Sequence, residues 1–273
     1  MRQIGLWLIG FWFVGLMGCS ADTEKAVSPE DDQPAYVMYT FERFSEGCAS
    51  DSSRCASFTA HYPVLRGESP AITAINQIIQ DRVKESMGAI DPEMDWSQIS
   101  LEKLCSQFFA DYERLLREQD FYPMPWTLET KGTVICQNDQ WLTVALSSYQ
   151  FTGGAHSNTY TTLLNFDRKT GRELYWNDVL QDSLGFVQLA EDQFRQARNI
   201  GSNVTLDQAG FFWGEDFQPP VNFALTRTGL RLFYNNYEIA PYVLGPTDFV
   251  VPYHELSQVL QPRYLLASEA SSK

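Results

Sequence analysis

Residues 149–180 read YQFTGGAHSNTYTTLLNFDRKTGRELYWNDVL. An aromatic strand runs to Phe151. Gly153-Gly154-Ala155-His156 then makes a turn, since two consecutive glycines open backbone conformations closed to other residues. Ser157 to Phe166 is rich in Thr and aromatic residues and reads as a returning strand. Asp167-Arg168-Lys169-Thr170-Gly171 is a tight turn, with Gly171 placed for a positive φ. Glu173 to Leu180 leads into a short helical turn. Strands joined by short turns pair antiparallel, so this stretch sets the fold class.

Upstream, Trp126 to Ile135 and Trp141 to Phe151 flank a polar turn at Gln137–Gln140, which makes a three-stranded meander with 157–166. Tyr36 to Phe44 and Ala56 to Leu65 read as another antiparallel pair. Two helices lie between these groups. Ser69 is an N-cap and Pro70 the first helical residue. Ile72, Ile75, Ile79 and Val83 follow at helical spacing, and Gly88 ends the helix. The second starts near Ser97 or Ser100 and carries the stripe Leu101, Leu104, Cys105, Phe108, Tyr112, Leu115 and Leu116.

Downstream, Ser183 to Asn199 reads as a third long helix with Leu184, Val187, Phe194 and Ala197 inward. Residues 200–220 are irregular and aromatic. A hairpin spans 221–234, turned at Thr228-Gly229, followed by a loop, a strand at Phe249–Val251 and a terminal helix at Tyr253–Leu260. These segregated runs predict an α+β fold: antiparallel sheet or sheets packed against three or four helices, with the helices on one face.

The N-terminus carries a different signal. Arg2 precedes an apolar run of about a dozen residues, too short for a comfortable membrane span. The run ends in Leu16-Met17-Gly18-Cys19, a bacterial lipobox, so residues 1–18 are expected to be a lipoprotein signal peptide and Cys19 the lipidated first residue. Ser20 after the cysteine fits outer-membrane retention. Residues 19–34 are polar and acidic with two prolines and read as a tether. The folded part is expected as 35–152 and 153–262 in one compact unit.

The formal net charge is −14. Loss of a leader whose one charge is Arg2 would make it −15. An acidic surface argues against nucleic acid, whose phosphates need Lys and Arg, and favours a cationic partner or simple solubility. Four cysteines remain after Cys19, and an even number in an exported chain suggests two disulfides. Cys48 and Cys55 flank a polar turn and are expected to pair, which leaves Cys105 with Cys136. A tetrahedral metal site is the alternative, although no Cys-x-x-Cys is present.

No enzyme signature stands out. There is no Gly-x-Ser-x-Gly elbow, no His-Glu-x-x-His and no phosphate-cradling loop before a lysine. No pair of carboxylates is marked by spacing as a glycosidase pair. No catalytic residue, metal ligand or cofactor is therefore assigned. His156 is either an exposed partner contact or a turn residue bonded to a nearby carbonyl or carboxylate such as Asp167, and the residues favour the second.

In combination, Tyr149 to His156, Asn165-Phe166-Asp167 and Lys169-Thr170-Gly171 resemble the DUF3298/DUF4163 family. The resemblance extends through Pro241-Tyr242, Gly245 and Pro252-Tyr253, and covers residues 36–260. The motif positions it marks are Gly153, Gly154, His156, Asp167, Gly171, Pro241, Tyr242, Gly245, Pro252 and Tyr253. It divides the folded part into a DUF4163-like first half and a DUF3298-like second half. Relatives of this kind include the extracytoplasmic domains of RsiV-type anti-sigma factors, which bind lysozyme, and domains that precede peptidoglycan deacetylases. What the resemblance implies is an envelope-exposed, non-enzymatic binding domain, held to the membrane by its N-terminal lipid, with lysozyme or peptidoglycan as the partner. The rival expectation is a cell-wall glycan hydrolase or deacetylase with a carboxylate site the sequence does not mark.

Overall fold

The computed structural model describes residues 35–46, 48, 55–88, 98–118 and 124–265. The expected signal peptide, the expected lipidation site Cys19 and the expected tether lie outside the described residues. No described helix is long and apolar enough to cross a membrane.

Among the described residues, eight strands form two sheets. The first has five strands: β1 (Tyr36–Phe44), β2 (Ala56–Leu65), β3 (Trp126–Gln137), β4 (Trp141–Phe151) and β5 (Asn158–Asp167), in that spatial order. The meander is present, with β3–β4 and β4–β5 antiparallel. So is the antiparallel pair β1–β2. The junction between the two groups departs from expectation: β2 and β3 run parallel, with Ala56 opposite Trp126. A parallel pair needs a long crossover. Helices α1 (Pro70–Met87) and α2 (Leu101–Glu118) lie in that crossover.

The two helices cover one face of this sheet. Ser69 caps α1, its hydroxyl accepting from the Ile72 N–H, with Pro70 in the first turn. Such a cap is worth about 1 kcal/mol. Ile75, Ile79 and Val83 from α1 and Cys105, Phe108 and Tyr112 from α2 pack on Phe58, Leu128, Val144 and Leu164.

The opposite face meets a second sheet of β6 (Phe223–Leu225), β7 (Gly229–Tyr234) and β8 (Thr247–Pro252). Ala224 packs on Ala145 and Leu163 between the sheets. Helix α4 (Ser183–Ala197) lies on the far side of the second sheet, with the one-turn helix α3 (Trp176–Val179) just before it. The helices therefore do not share one face.

Asparagine side chains join the sheets. Asn165 Oδ1 accepts from the Leu225 N–H at 2.8 Å and the Thr143 hydroxyl at 3.0 Å, and its Nδ2 donates to the Phe223 carbonyl at 2.8 Å. At the β5 edge, Asn222 Oδ1 accepts from Leu163 N and Asn235 Oδ1 from Thr161 N, both at 2.7 Å. Amide side chains thus take the place of a sixth strand, which closes the open edge.

Three further expectations change. Leu184 is 81% exposed, and α4 instead buries Phe186, Ala190 and Phe194, an i, i+4 stripe whose phase excludes position 184. Tyr253–Leu260 is a run of turns, with Leu260 in an isolated bridge to Leu180 that draws the chain out of helical geometry. Cys48 and Cys55 are joined, but Cys105 and Cys136 are free and buried. A β-bulge between Val134 and Cys136 is the reason. Val134 faces the helices, and two residues later regular alternation would turn Cys136 the same way. The bulge places Cys136 opposite Thr143, on the face of the second sheet, so the sheet separates it from Cys105.

Candidate functional site

The residues marked by the resemblance fall into three places. The first is an exposed tip. Gly153 and Gly154 have φ of 87° and 114° and swing the chain out beyond β4. His156 follows on the surface, and its Nδ1 lies 3.1 Å from the Ser157 carbonyl, not on Asp167. Its ring stacks on Tyr242 with centroids 4.4 Å apart, and Tyr237 stands 5.6 Å beyond Tyr242. Pro241 starts the short turn that presents Tyr242, and Gly245 (φ 69°) ends it. Tyr237 itself sits at φ 66°, a conformation that costs a bulky residue about 1–3 kcal/mol. The Phe212 N–H donates to the Ile239 carbonyl at 2.7 Å, which docks the 211–214 turn beside this segment. That turn leaves Trp213 59% exposed, also at positive φ, while Phe211, Phe212 and Phe217 are core.

The second place is structural. Asp167 Oδ1 accepts from the backbone N–H groups of Lys169 and Thr170, each at 3.0 Å. Burial works against the Asp167 charge, but these bonds and Arg263 overcome it and hold the carboxyl below its ordinary range. Gly171 (φ 75°) then passes under the start of α1, where an added Cβ would lie 2.4 Å from the Ala71 carbonyl oxygen. The third place is also structural. Pro252 ends β8, and the Tyr253 hydroxyl donates to the Thr226 carbonyl at 2.8 Å. Among the described motif residues, His156 and Tyr242 bring the two halves of the motif together.

Beside the tip lies a groove of about 470 Å³ that no sequence motif marked. Its floor is the helix-facing side of β4 and β5, with Ser148, Gln150, Asn158 and Tyr160. Arg82 and Glu85 near the end of α1 form one wall, and Glu173 and Tyr175 another. Glu238, next in the chain to Tyr237, closes the rim nearest the tip. Arg82 bridges Glu85 at 2.8 Å and Glu173 at 3.4 Å. Burial opposes the Arg82 charge, yet these two partners keep it firmly protonated. Burial raises the Tyr160 phenol, and Glu238 and Glu85 raise it further, so both carboxylates converge on that ring. Burial likewise raises Tyr175, with Glu173 adding to it and Arg82 opposing. Three carboxylates against one guanidinium make the groove net negative.

Sequence reasoning missed this groove because its walls come from α1, the 173–175 segment and residue 238. The i, i+3 pair Arg82–Glu85 was a visible local signal. Its bond to Glu173, ninety-one residues away, was not. Among the described residues no cluster of three or more His, Cys, Asp or Glu is poised to hold a metal.

With this geometry in view, the class is an α+β protein of two coupled sheets whose concave and aromatic features lie along one rim. Residues 180–254 match the family model described as a protein of unknown function, DUF3298, and residues 49–159 match the model described as deacetylase PdaC. A DUF3298 family protein from Pseudomonas aeruginosa superposes with a TM-score of 0.65 at 23% identity, over 86% of this chain and 98% of that one. A DUF3298 member from Bacteroides fragilis gives 0.61 at 18% identity, over 83% and 94%. The immunogenic proteins MPB64 of Mycobacterium bovis and MPT64 of Mycobacterium tuberculosis are 27% identical over 126 residues, which is 43% of this chain and 51% of theirs. The chain thus spans about half the length of the curated relatives it matches. Its residues 180–254 thus match the DUF3298 model, and the chain has the fold of that family's solved members.

Proposed function

We propose that this chain is a lipid-anchored binding domain of the bacterial cell envelope, without enzymatic activity, that engages a cationic protein such as lysozyme through its aromatic tip. The observation that carries the reading is the exposed His156–Tyr242–Tyr237 stack on a backbone that holds Tyr237 at positive φ. Strained backbone and grouped exposed aromatics concentrate at binding surfaces, where Tyr and Trp supply most hot spots. The net charge of −14 would steer a cationic partner toward it. The anchor rests on Cys19, and the tether on residues 19–34.

Calorimetry of the purified full chain in mild detergent with hen lysozyme tests the partner. Binding that weakens with salt supports it, and no heat at low salt sinks the lysozyme version. Replacement of Cys19 by Ser and fractionation of cells tests the anchor, since the variant should leave the outer-membrane fraction.

One observation favours a second reading. Glu85 and Glu173 face the same groove, as a carboxylate pair for glycan chemistry would. Both are bound to Arg82, however, which stabilises their charged forms and works against a general acid. Release of peptidoglycan fragments that Glu85→Gln or Glu173→Gln abolishes would establish the enzyme instead.

A further inference from the structure

We propose that the groove beside the tip binds a short amino-sugar oligosaccharide carrying free amines. This goes beyond the partner assigned to the tip and uses different residues. The volume, about 470 Å³, lies within the usual small-ligand range of roughly 300–1,000 Å³. Two half-exposed rings, Tyr160 at 48% and Tyr175 at 50%, stand in the groove and offer flat faces to the C–H surfaces of sugar rings. Ser148, Gln150 and Asn158 in the same lining present neutral donors and acceptors suited to hydroxyl groups.

Charge selects the amine. The Arg82 guanidinium is engaged by Glu85 and Glu173, so its charge is already offset within the groove. Glu238 has the Asn235 amide at 3.1 Å and no salt-bridge partner among the described residues. An ammonium group beside Glu238 and the Glu173 end of the groove would balance the excess negative charge, and an N-acetyl group would not. A cationic peptide is the competing occupant. Peptides commonly bind sheet proteins by adding a strand to an open edge. Along Thr161–Leu163 of β5 that route is taken, because Asn222 and Asn235 already hold the backbone of Thr161 and Leu163.

The test is calorimetric titration of the full chain in mild detergent with three probes: the glucosamine trisaccharide, its fully N-acetylated counterpart and tri-lysine. The free-amine sugar should bind, and the acetylated sugar about tenfold or more weaker. Glu238→Gln should weaken the free-amine sugar about fivefold, and Tyr175→Ala about tenfold, with unfolding midpoints confirming that both variants fold. Tyr242→Ala, at the tip, should leave sugar binding unchanged. Equal affinity for the acetylated sugar, tri-lysine binding as tightly as the sugar, no saccharide binding, or full affinity in folded Glu238→Gln and Tyr175→Ala would each overturn the proposal. The lysozyme titration is separate, so either reading can fail alone.

Discussion

The ring of His156 lies 4.4 Å from that of Tyr242 and within 18° of parallel to it. One residue follows the glycine turn after β4, and the other sits in a loop of the second sheet. The stack is therefore where the two sheets present a shared surface. Tyr242→Ala is expected to weaken lysozyme binding at least tenfold, the effect of a modest hot spot. The ring is partly exposed, so the loss of stacking should cost only about 1 kcal/mol, and the thermal midpoint should fall by about 2–4 °C. Calorimetry and a melt on the same sample separate the two effects. A large midpoint drop with no change in affinity would make the tip structural.

Asn165 is 1% exposed and bonds across the sheet interface. Asn165→Leu keeps the branched shape but leaves the Leu225 N–H and the Phe223 carbonyl unpaired. Each such group costs about 1–3 kcal/mol. Urea denaturation should show a loss of about 3 kcal/mol or more. A neutral outcome would mean that other groups or water take over the bonds.

Gly171 and Gly154 both have positive φ but differ in surroundings. At Gly171 a new Cβ meets the Ala71 backbone, whereas at Gly154 nothing lies within 4 Å. Gly171→Ala should therefore cost about 3 kcal/mol, from backbone strain plus overpacking at the base of α1. Gly154→Ala should cost roughly 1–2 kcal/mol, from strain alone. Paired unfolding curves check the difference, and equal losses would count against the close approach.

The Cys48–Cys55 bond closes a short loop, with a sequence separation of 7. Its removal should cost about 2.5 kcal/mol on the chain-entropy account. Cys105 and Cys136 are buried thiols, and burial pushes Cys105 up to about 11. The thiolate is the reactive form. Alkylation of both at pH 8 should thus be very slow in the native protein and rapid in denaturant without reductant. If neither is labelled after denaturation, they are paired with each other.

Asp178 caps the turn that presents Tyr175. It accepts from Arg172 at 2.7 Å and from the Tyr175 N–H at 2.9 Å. The Arg172 bond is the main cause of its lowered pKa, and burial opposes it. A carboxylate whose folded pKa is depressed contributes stability above its unfolded value, about 3.9, and loses it as pH falls through the folded value. Asp178→Asn should be less stable than wild type by about 1 kcal/mol at pH 7. The gap should close as pH falls through the depressed folded value, below the ordinary carboxylate range, as followed by thermal melts across pH. A gap that persists at pH 2 would point to packing rather than charge.

Local signals in the chain were sufficient for much of the fold. Ser69-Pro70 and the Ile75–Ile79–Val83 spacing specify α1 because a cap and an apolar stripe are short-range features. The turn chemistry at 137–140 and 153–156 specifies the meander in the same way. The Cys48–Cys55 pair, across a polar turn, was equally local. Tertiary structure decided what depends on distant segments. The parallel β2–β3 junction follows from where the crossover helices pack. A single bulge at 134–136 reverses the face of Cys136 and prevents the second disulfide, and no composition signal marks it. The phase of α4, which exposes Leu184, is set by the aromatic cluster it covers. The groove exists because Glu173 and Glu238 are carried to the end of α1. The Tyr149–Leu180 stretch thus fixes backbone geometry through its glycines and turns. Its chemistry arises only when Tyr242 arrives beside His156, and Arg82 beside Glu173, through contacts that sequence spacing does not encode.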